Sequence, residues 1–228
     1  MRTSNTLYVV RIVESTPLTV RQKKWLKRHG IERMRFLWID TETTGIEVTD
    51  SAAFELGMIL VDNGQVICER CFFLNPLSDT IKYHEDAGKI HGYSEADIRS
   101  FPSERVQMSK VAQFFLEARE LWQKDGSKSE KMVLAGYNVG FDIKHLNALL
   151  ERNGYKLSDY FTDVVADVFV QVKKAGMQKA LPYLPDRKLG TVAKHLGVKL
   201  ENAHDALADI KATRSVAAKL HSMGVSLL

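Results

Sequence analysis

Residues 36–45, FLWIDTETTG, join an unbroken apolar run to two carboxylates and a Thr-Thr-Gly turn. Side chains of a strand alternate between faces, so Asp40 and Glu42 project the same way. Phe36, Leu37, Trp38 and Ile39 fill both faces, the pattern of a central strand covered on both sides. Two anions therefore leave a dry core side by side. Carboxylates that close repel unless a cation sits between them, and oxygen-only ligands at this density suit Mg²⁺ or Mn²⁺. An isolated Asp-x-Glu has a second reading, a solvated strand end before a turn, and the rest of the chain must decide between the two.

Downstream, ELGMILVDNGQVICERCFFLNP (55–76) reads as a hairpin of about 53–62 and 65–74 turning at Asn63-Gly64. It holds both cysteines, Cys68 and Cys71, at the C-x-x-C spacing of redox and zinc motifs. On a strand that spacing puts the thiols on opposite faces, and one pair is half of a structural zinc set, so both read as reduced strand residues. Residues 81–100 predict short helical pieces with Ser94 as a cap. Residues 103–124 predict a helix through Val106, Val111, Phe114, Phe115, Leu116 and Leu121. After a polar loop at 125–131 come a strand at 132–137, a helix at 141–152 stopped by Asn153-Gly154, and a strand at 161–165 leading into a helix. KKAGMQKALPYLPDRK (173–188) reads as a basic, proline-interrupted loop, and helices at about 188–196 and 205–222 close the chain. A hairpin followed by strands alternating with helices indicates an α/β sheet of mixed direction covered by helices.

At 228 residues and 45% hydrophobic content the chain can bury one sizeable domain and a modest appendage. No stretch has the apolar length of a membrane span. The apolar run near the start is short and broken by Arg11, so neither a secretory signal nor an anchor is read there, and a soluble, intracellular, cytoplasmic protein is expected. Upstream of the central strand, 7–13 read as a short strand, and Thr16-Pro17 opens a helix to about Arg28, ended by Gly30. Residues 1–35 hold nine Lys/Arg against two acids, a local +7, while 36–228 hold 23 against 26, a local −3. The division is thus a basic extension, 1–35, on an acidic domain, 36–228. A phosphate-rich partner suits such an arm, and so does plain solvation.

Three further places carry chemistry that can join Asp40 and Glu42. Asp142 opens the helix after strand 132–137, where the helix dipole favours a carboxylate and where open α/β sheets gather ligands. On the last helix the apolar stripe reads Ala203, Ala206, Leu207, Ile210, Ala217 and Leu220, with Asp209 at its edge. His204 precedes Asp209 by five residues, about 140° around a continuous helix, so it belongs before or within the first turn, free to act as a general base from another side. Asp205 reads as the helix cap.

Asp-x-Glu-Thr-Thr-Gly at 40–45, Asn-x-x-Phe-Asp at 138–142 and His-Asp-Ala-x-x-Asp at 204–209, with Ile90-His91-Gly92 between, resemble the DnaQ-like exonucleases, the histidine subtype of the DEDD superfamily, over about 35–220. The resemblance implies a ribonuclease H-like fold: a five-stranded mixed sheet flanked by helices, its second strand antiparallel. It also implies a 3′-to-5′ exonuclease that releases nucleoside 5′-monophosphates, with two Mg²⁺ or Mn²⁺ ions held by Asp40, Glu42, Asp142 and Asp209, and His204 as catalytic base. By the same resemblance Thr43 and Thr44 contact the terminal nucleotide, and Asn138 and Phe141 lie beside it. His145 departs from the family's aromatic or apolar residue. It reads as a core-edge histidine, an imidazole standing in for an aromatic ring, rather than as a metal ligand.

The physics agrees with the resemblance. Four converging carboxylates can hold two divalent ions, one activating water and the other stabilising the leaving 3′ oxygen, and an imidazole titrating near neutral pH can take a proton. The expected partner is a single-stranded 3′ end, DNA slightly ahead of RNA, in proofreading or repair, with room for a polymerase or other protein partner and none for a membrane. The rivals are a non-catalytic nucleic-acid or protein-binding module on this fold, an RNA-trimming ribonuclease, and an endonuclease.

Overall fold

The computed structural model describes residues 35–62, 64–123, 131–201 and 203–227, with side chains to residue 118 in the third helix. The readings at 7–13, 16–28, most of 125–131 and the Leu121 side chain fall outside these. The elements run β1 (Arg35–Thr43), β2 (Ala53–Asp62), β3 (Gln65–Phe73), α1 (Glu85–His91), α2 (Glu95–Ser100), α3 (Glu104–Gln123), β4 (Met132–Gly136) and α4 (Gly140–Arg152). A 3₁₀ turn (Leu157–Asp159), β5 (Phe161–Asp167), α5 (Val168–Met177), α6 (Leu189–His195) and α7 (Ala206–Ser222) follow. The sheet order is β3-β2-β1-β4-β5. β1 pairs antiparallel with β2 and parallel with β4, so β2 runs against the other four strands. This is the five-stranded mixed sheet of the ribonuclease H-like fold.

Strand alternation sorts the core into two layers. Leu37 and Ile39 of β1 face α3 and α4, meeting Met108, Val111, Phe115, Leu146 and Leu149. Phe36 and Trp38 face the other way, onto Val168 and Val172 of α5, Val192 of α6, and Ile210, Val216 and Leu220 of α7. Asp40 and Glu42 continue that second row, which is why they come out on the α7 side. Gly57 lies opposite Asp40 in the β1–β2 register. A Cβ there would sit 2.8 Å from Ala206, so its absence lets the start of α7 press against the sheet beside Asp40.

Local signals hold where the residues that cause them are neighbours. Ser94 caps α2 in a reciprocal box with Asp97, and Asp205 caps α7 by accepting from the Ala208 N–H at 2.9 Å. The two cysteines are free: Cys68 lies in the α3-side core, while the Cys71 thiol donates to Glu55 on the α7 side. Burial pushes both thiols up, away from reactivity.

Three readings are corrected. Val106 and Leu116 are 55% and 42% exposed; the face of α3 that packs inward is Met108, Val111, Ala112, Phe115 and Ala118, at i, i+3, i+4, i+7 and i+10, from which Val106 points away. Residues 173–177 are helical, because Val168, Gln171, Val172 and Ala175 keep a buried stripe that carries α5 to Met177. Ala203 is exposed, and the α7 stripe starts at Ala206. Among the described residues no helix is long and apolar enough to cross a membrane.

Candidate active site

The acids gather where the C-terminal end of β1 meets the starts of α4 and α7. Asp40 is held well above the ordinary carboxylate range, first by burial and then by Asp142, Asp209, Glu42 and Glu55 around it. Glu42 is pushed up to about 8 by burial, then by Glu55, Asp209 and Asp142. Asp142, in the first turn of α4, rises to about 7 because burial outweighs its hydrogen bonds. Those bonds come from Thr41, whose backbone N–H and hydroxyl donate to Oδ1 at 2.9 and 2.8 Å. Thr41 points to the face that α4 covers, opposite from Asp40, and so holds Asp142 at the strand end beside the cluster. Asp209 is raised by burial, although the His204 backbone N–H donates to its Oδ2 at 3.4 Å; its Oδ1 is buried with no partner. Asp40 and Glu42 are thus disfavoured as anions by the acids around them, the condition a cation would relieve.

His204 lies in the turn just before α7, exposed, at φ 72°, a left-handed conformation that costs a side chain energy unless its surroundings impose it. The turn carries its imidazole to the cluster. Its ring nitrogen and one oxygen each of Glu42 and Asp209 lie within 4.8 Å of one another. The histidine is therefore near enough both to accept a proton at the site and to ligate a cation there.

The residues read as substrate contacts are less alike. Thr43 is buried and its hydroxyl donates to the Gly45 carbonyl at 2.6 Å. Thr44 is fully buried: its N–H donates to the Ala52 carbonyl at 2.9 Å and its hydroxyl accepts from the Ala52 N–H at 3.1 Å. Those bonds close the 44–52 loop, and the hydroxyls of both threonines are engaged within this turn region. Asn138 is exposed at φ 55°, its N–H donated to Asp167, and Phe141 is half-buried against His145 with ring centroids 4.6 Å apart. His145 itself is buried, its Nε2 3.2 Å from the Ile46 carbonyl, so it ties α4 to the loop after β1. His91 is buried edge-on against Phe54 at 4.7 Å, filling an aromatic cluster behind His204.

Sequence reading missed Glu55. It lies directly opposite Glu42 across β1 and β2, is 1% exposed, and accepts from the Ala206 N–H and the Cys71 thiol, both at 3.3 Å. The first N–H groups of a helix lack internal partners, and Glu55 serves the first residue of the helix that delivers Asp209. A lone carboxylate in the otherwise apolar run AFELGMILV was the available signal. Glu55→Leu leaves that buried N–H unsatisfied, so a loss of about 1–3 kcal/mol is expected, with lower turnover, while Glu55→Gln keeps an acceptor and stays close to the parent. Thermal melts and kcat of both variants check this; a leucine variant as stable and active as the parent defeats it.

The donor set fits divalent cations: oxygen ligands, mutual repulsion and an orphaned carboxylate oxygen on Asp209. A mixed sheet of this order with acids clustered at the end of its central strand defines a ribonuclease H-like nuclease domain. The family model for exonucleases of the RNase T type matches residues 37–217, and the chain belongs to that exonuclease family. It is 25% identical over 179 residues to the PolC-type DNA polymerase III of Pediococcus pentosaceus, covering 78% of this chain and 11% of the polymerase. The PolC-type polymerase of Latilactobacillus sakei is 26% identical over 195 residues, covering 86% and 12%. The chain thus spans only a small part of these relatives' length. A structure of exonuclease I superposes with a TM-score of 0.68 at 22% identity, covering 83% of this chain and 41% of that one. The zinc-bound complex of Escherichia coli exonuclease I with single-stranded DNA does so with 0.68, 22%, 84% and 41%. At that identity the likeness is one of fold.

Proposed function

We propose that the chain is a 3′-to-5′ exonuclease that removes nucleoside 5′-monophosphates from single-stranded 3′ ends, DNA ahead of RNA. The observation that carries this is the convergence of Asp40, Glu42, Asp142 and Asp209 in one cluster, where Asp142 and Asp209 push the Asp40 and Glu42 carboxyls up. Those four would hold two divalent cations, Mg²⁺ or Mn²⁺. When bound, the cations supply Lewis acidity to the attacking and leaving oxygens. The chain's own residues do the rest. His204, on its exposed turn, takes the proton of the attacking water; Thr41 fixes Asp142; Thr43, Thr44, Asn138 and Phe141 line the approach of the terminal nucleotide. The preference for DNA is supported by the relatives, which are named as DNA polymerases and as a complex with single-stranded DNA. Mg²⁺ with matched 3′-labelled single-stranded DNA, duplex DNA and RNA tests the reading. Stepwise shortening from the labelled end, fastest on single-stranded DNA, is expected; cutting of a closed circle would make the chain an endonuclease instead.

One observation supports a second role for His204, that of ligand, since its ring nitrogen lies within 4.8 Å of Glu42 and Asp209 oxygens. A non-catalytic binding module is disfavoured by the full set of acids. The exonuclease domain is taken as 36–228, and the +7 extension at 1–35 is proposed to meet substrate phosphates that the acidic domain would repel. Deleting 1–34 should then weaken binding and lower the log–log salt slope by about 0.7 for each lost contact, leaving the metal requirement unchanged; equal slopes mean the charge is incidental.

A further inference from the structure

Residues 173–188 carry five Lys/Arg against one Asp on a domain that is otherwise acidic. They form the end of α5 and the loop into α6, and both ends of the segment are fastened to the rim of the acid cluster through Tyr137. That residue immediately follows β4 and precedes Asn138. Its hydroxyl donates to the Arg187 carbonyl, which brings the returning loop to the rim. Its ring packs on Phe169 at 5.9 Å, and the Lys173 ammonium sits over the Phe169 ring at 4.2 Å. Lys173 thus meets one ring of the aromatic pair and the Arg187 backbone meets the other, and the side chains of Lys173, Arg187 and Lys188 are exposed.

Two acids share this surface, and both are turned to backbone N–H groups. Asp186 accepts from the Lys188 N–H at 3.0 Å and from the Thr191 side chain. Asp167 accepts from the Asn138 and Phe169 N–H groups, each at 2.9 Å. The outward charge is therefore positive. Between the two cations the loop presents Tyr183, 94% exposed, a ring with no core to stack on, four residues and thus at most about 14 Å of chain from Arg187.

We infer that residues 173–188 are the track for the part of a single-stranded polynucleotide lying 5′ of the nucleotide in the cleft. Lys173 and Arg187 meet backbone phosphates, and Tyr183 offers a stacking face to a base. Exposed cations beside a sequence-tolerant aromatic face are the elements of a single-strand groove. The inference rests on the exonuclease reading above and deepens it. It makes residues outside the cleft responsible for holding long substrates.

The test uses the full chain, the double variant Lys173→Gln/Arg187→Gln, and Tyr183→Ala. Arg187 meets Tyr137 through its carbonyl, so its side chain can be changed without loss of that bond. Three readouts are compared: hydrolysis of the p-nitrophenyl ester of thymidine 5′-monophosphate, which reaches only the cleft; shortening of a single-stranded oligonucleotide of about 20 nucleotides; and binding of that oligonucleotide in Ca²⁺ at several salt concentrations. For the double variant KM on the oligonucleotide should rise roughly tenfold with kcat held, and the salt slope should fall by about 1.4, or 0.7 for each contact. For Tyr183→Ala KM should rise with the salt slope unchanged. Constants for the small ester should stay at parental values. An oligonucleotide KM and salt slope equal to the parent's overturn the track and leave the exonuclease reading standing, and so does a KM that rises equally on the ester. Failure of the parent chain to hydrolyse either substrate sinks the exonuclease reading instead, and the Ca²⁺ binding comparison still decides the track.

Discussion

Asp40→Ala is expected to lower nucleotide release by more than about 10³-fold while leaving the fold intact. Asp40 is the acid on which the others converge, with Asp142, Asp209, Glu42 and Glu55 all acting on its carboxyl. Removing it takes away a ligand and at the same time relieves repulsion, so activity falls without a matching loss of stability. Chelation should abolish release in the parent, and Mg²⁺ or Mn²⁺ should restore it; robust hydrolysis in excess chelator, or an alanine variant as fast as the parent, would falsify the metal-site reading.

The same cluster sets how metal-free stability depends on pH. Glu42 and Asp142 have folded pKa values near 8 and 7, above their ordinary 4.5 and 3.8. The stability tied to their protonated forms is fully present below those ordinary values. It is lost as pH rises through about 7 for Asp142 and about 8 for Glu42. In chelator the melting temperature should therefore fall between pH 5 and 9 on account of these groups. A saturating divalent ion should reverse the fall, and Glu42→Gln, which removes one of the two titrating groups, should blunt it. Melting curves across that range, with and without Mn²⁺, measure all three.

His204→Ala should lower kcat by about 10²- to 10⁴-fold, as for loss of a general base. The backbone at 204 is left-handed, φ 72°, so alanine adds strain to the loss of the imidazole; His204→Asn tolerates that conformation and separates the two effects. Calorimetric titration with Mn²⁺ distinguishes the roles open to this histidine. A base leaves metal affinity at the parental value, whereas a ligand beside Glu42 and Asp209 weakens it when removed, and raised Mn²⁺ then recovers part of the rate. A rate unchanged in both variants would reduce His204 to a turn residue.

The acids at the centre were legible because strand alternation is local. Asp40 and Glu42 two residues apart must share a face, and the apolar residues before them show that the strand is buried. The caps at Ser94 and Asp205 and the antiparallel hairpin belong to the same class, since each depends on residues within a few positions of one another. The α3 face misled because Val106 and Leu116 are apolar on a helix whose neighbours do not reach them, and the end of α5 misled because its buried stripe outlasts the lysines that suggested a loop.

By itself, then, the sequence determined the central strand and its paired carboxylates, the mixed α/β class, the charge division between 1–35 and 36–228, and the family resemblance that grouped Asp142, His204 and Asp209 with them. Only the tertiary structure decided how those groups are held: Thr41 gripping Asp142 from 101 residues away, Glu55 capping α7 across 151, and Gly57 leaving room for that helix beside Asp40. It also committed Thr44 to its own loop and set His204 in a left-handed turn. The physical reason is that periodicity and capping are written within one element. The approach of one element to another depends on the sum of many packing contacts, and no single residue along the chain encodes it.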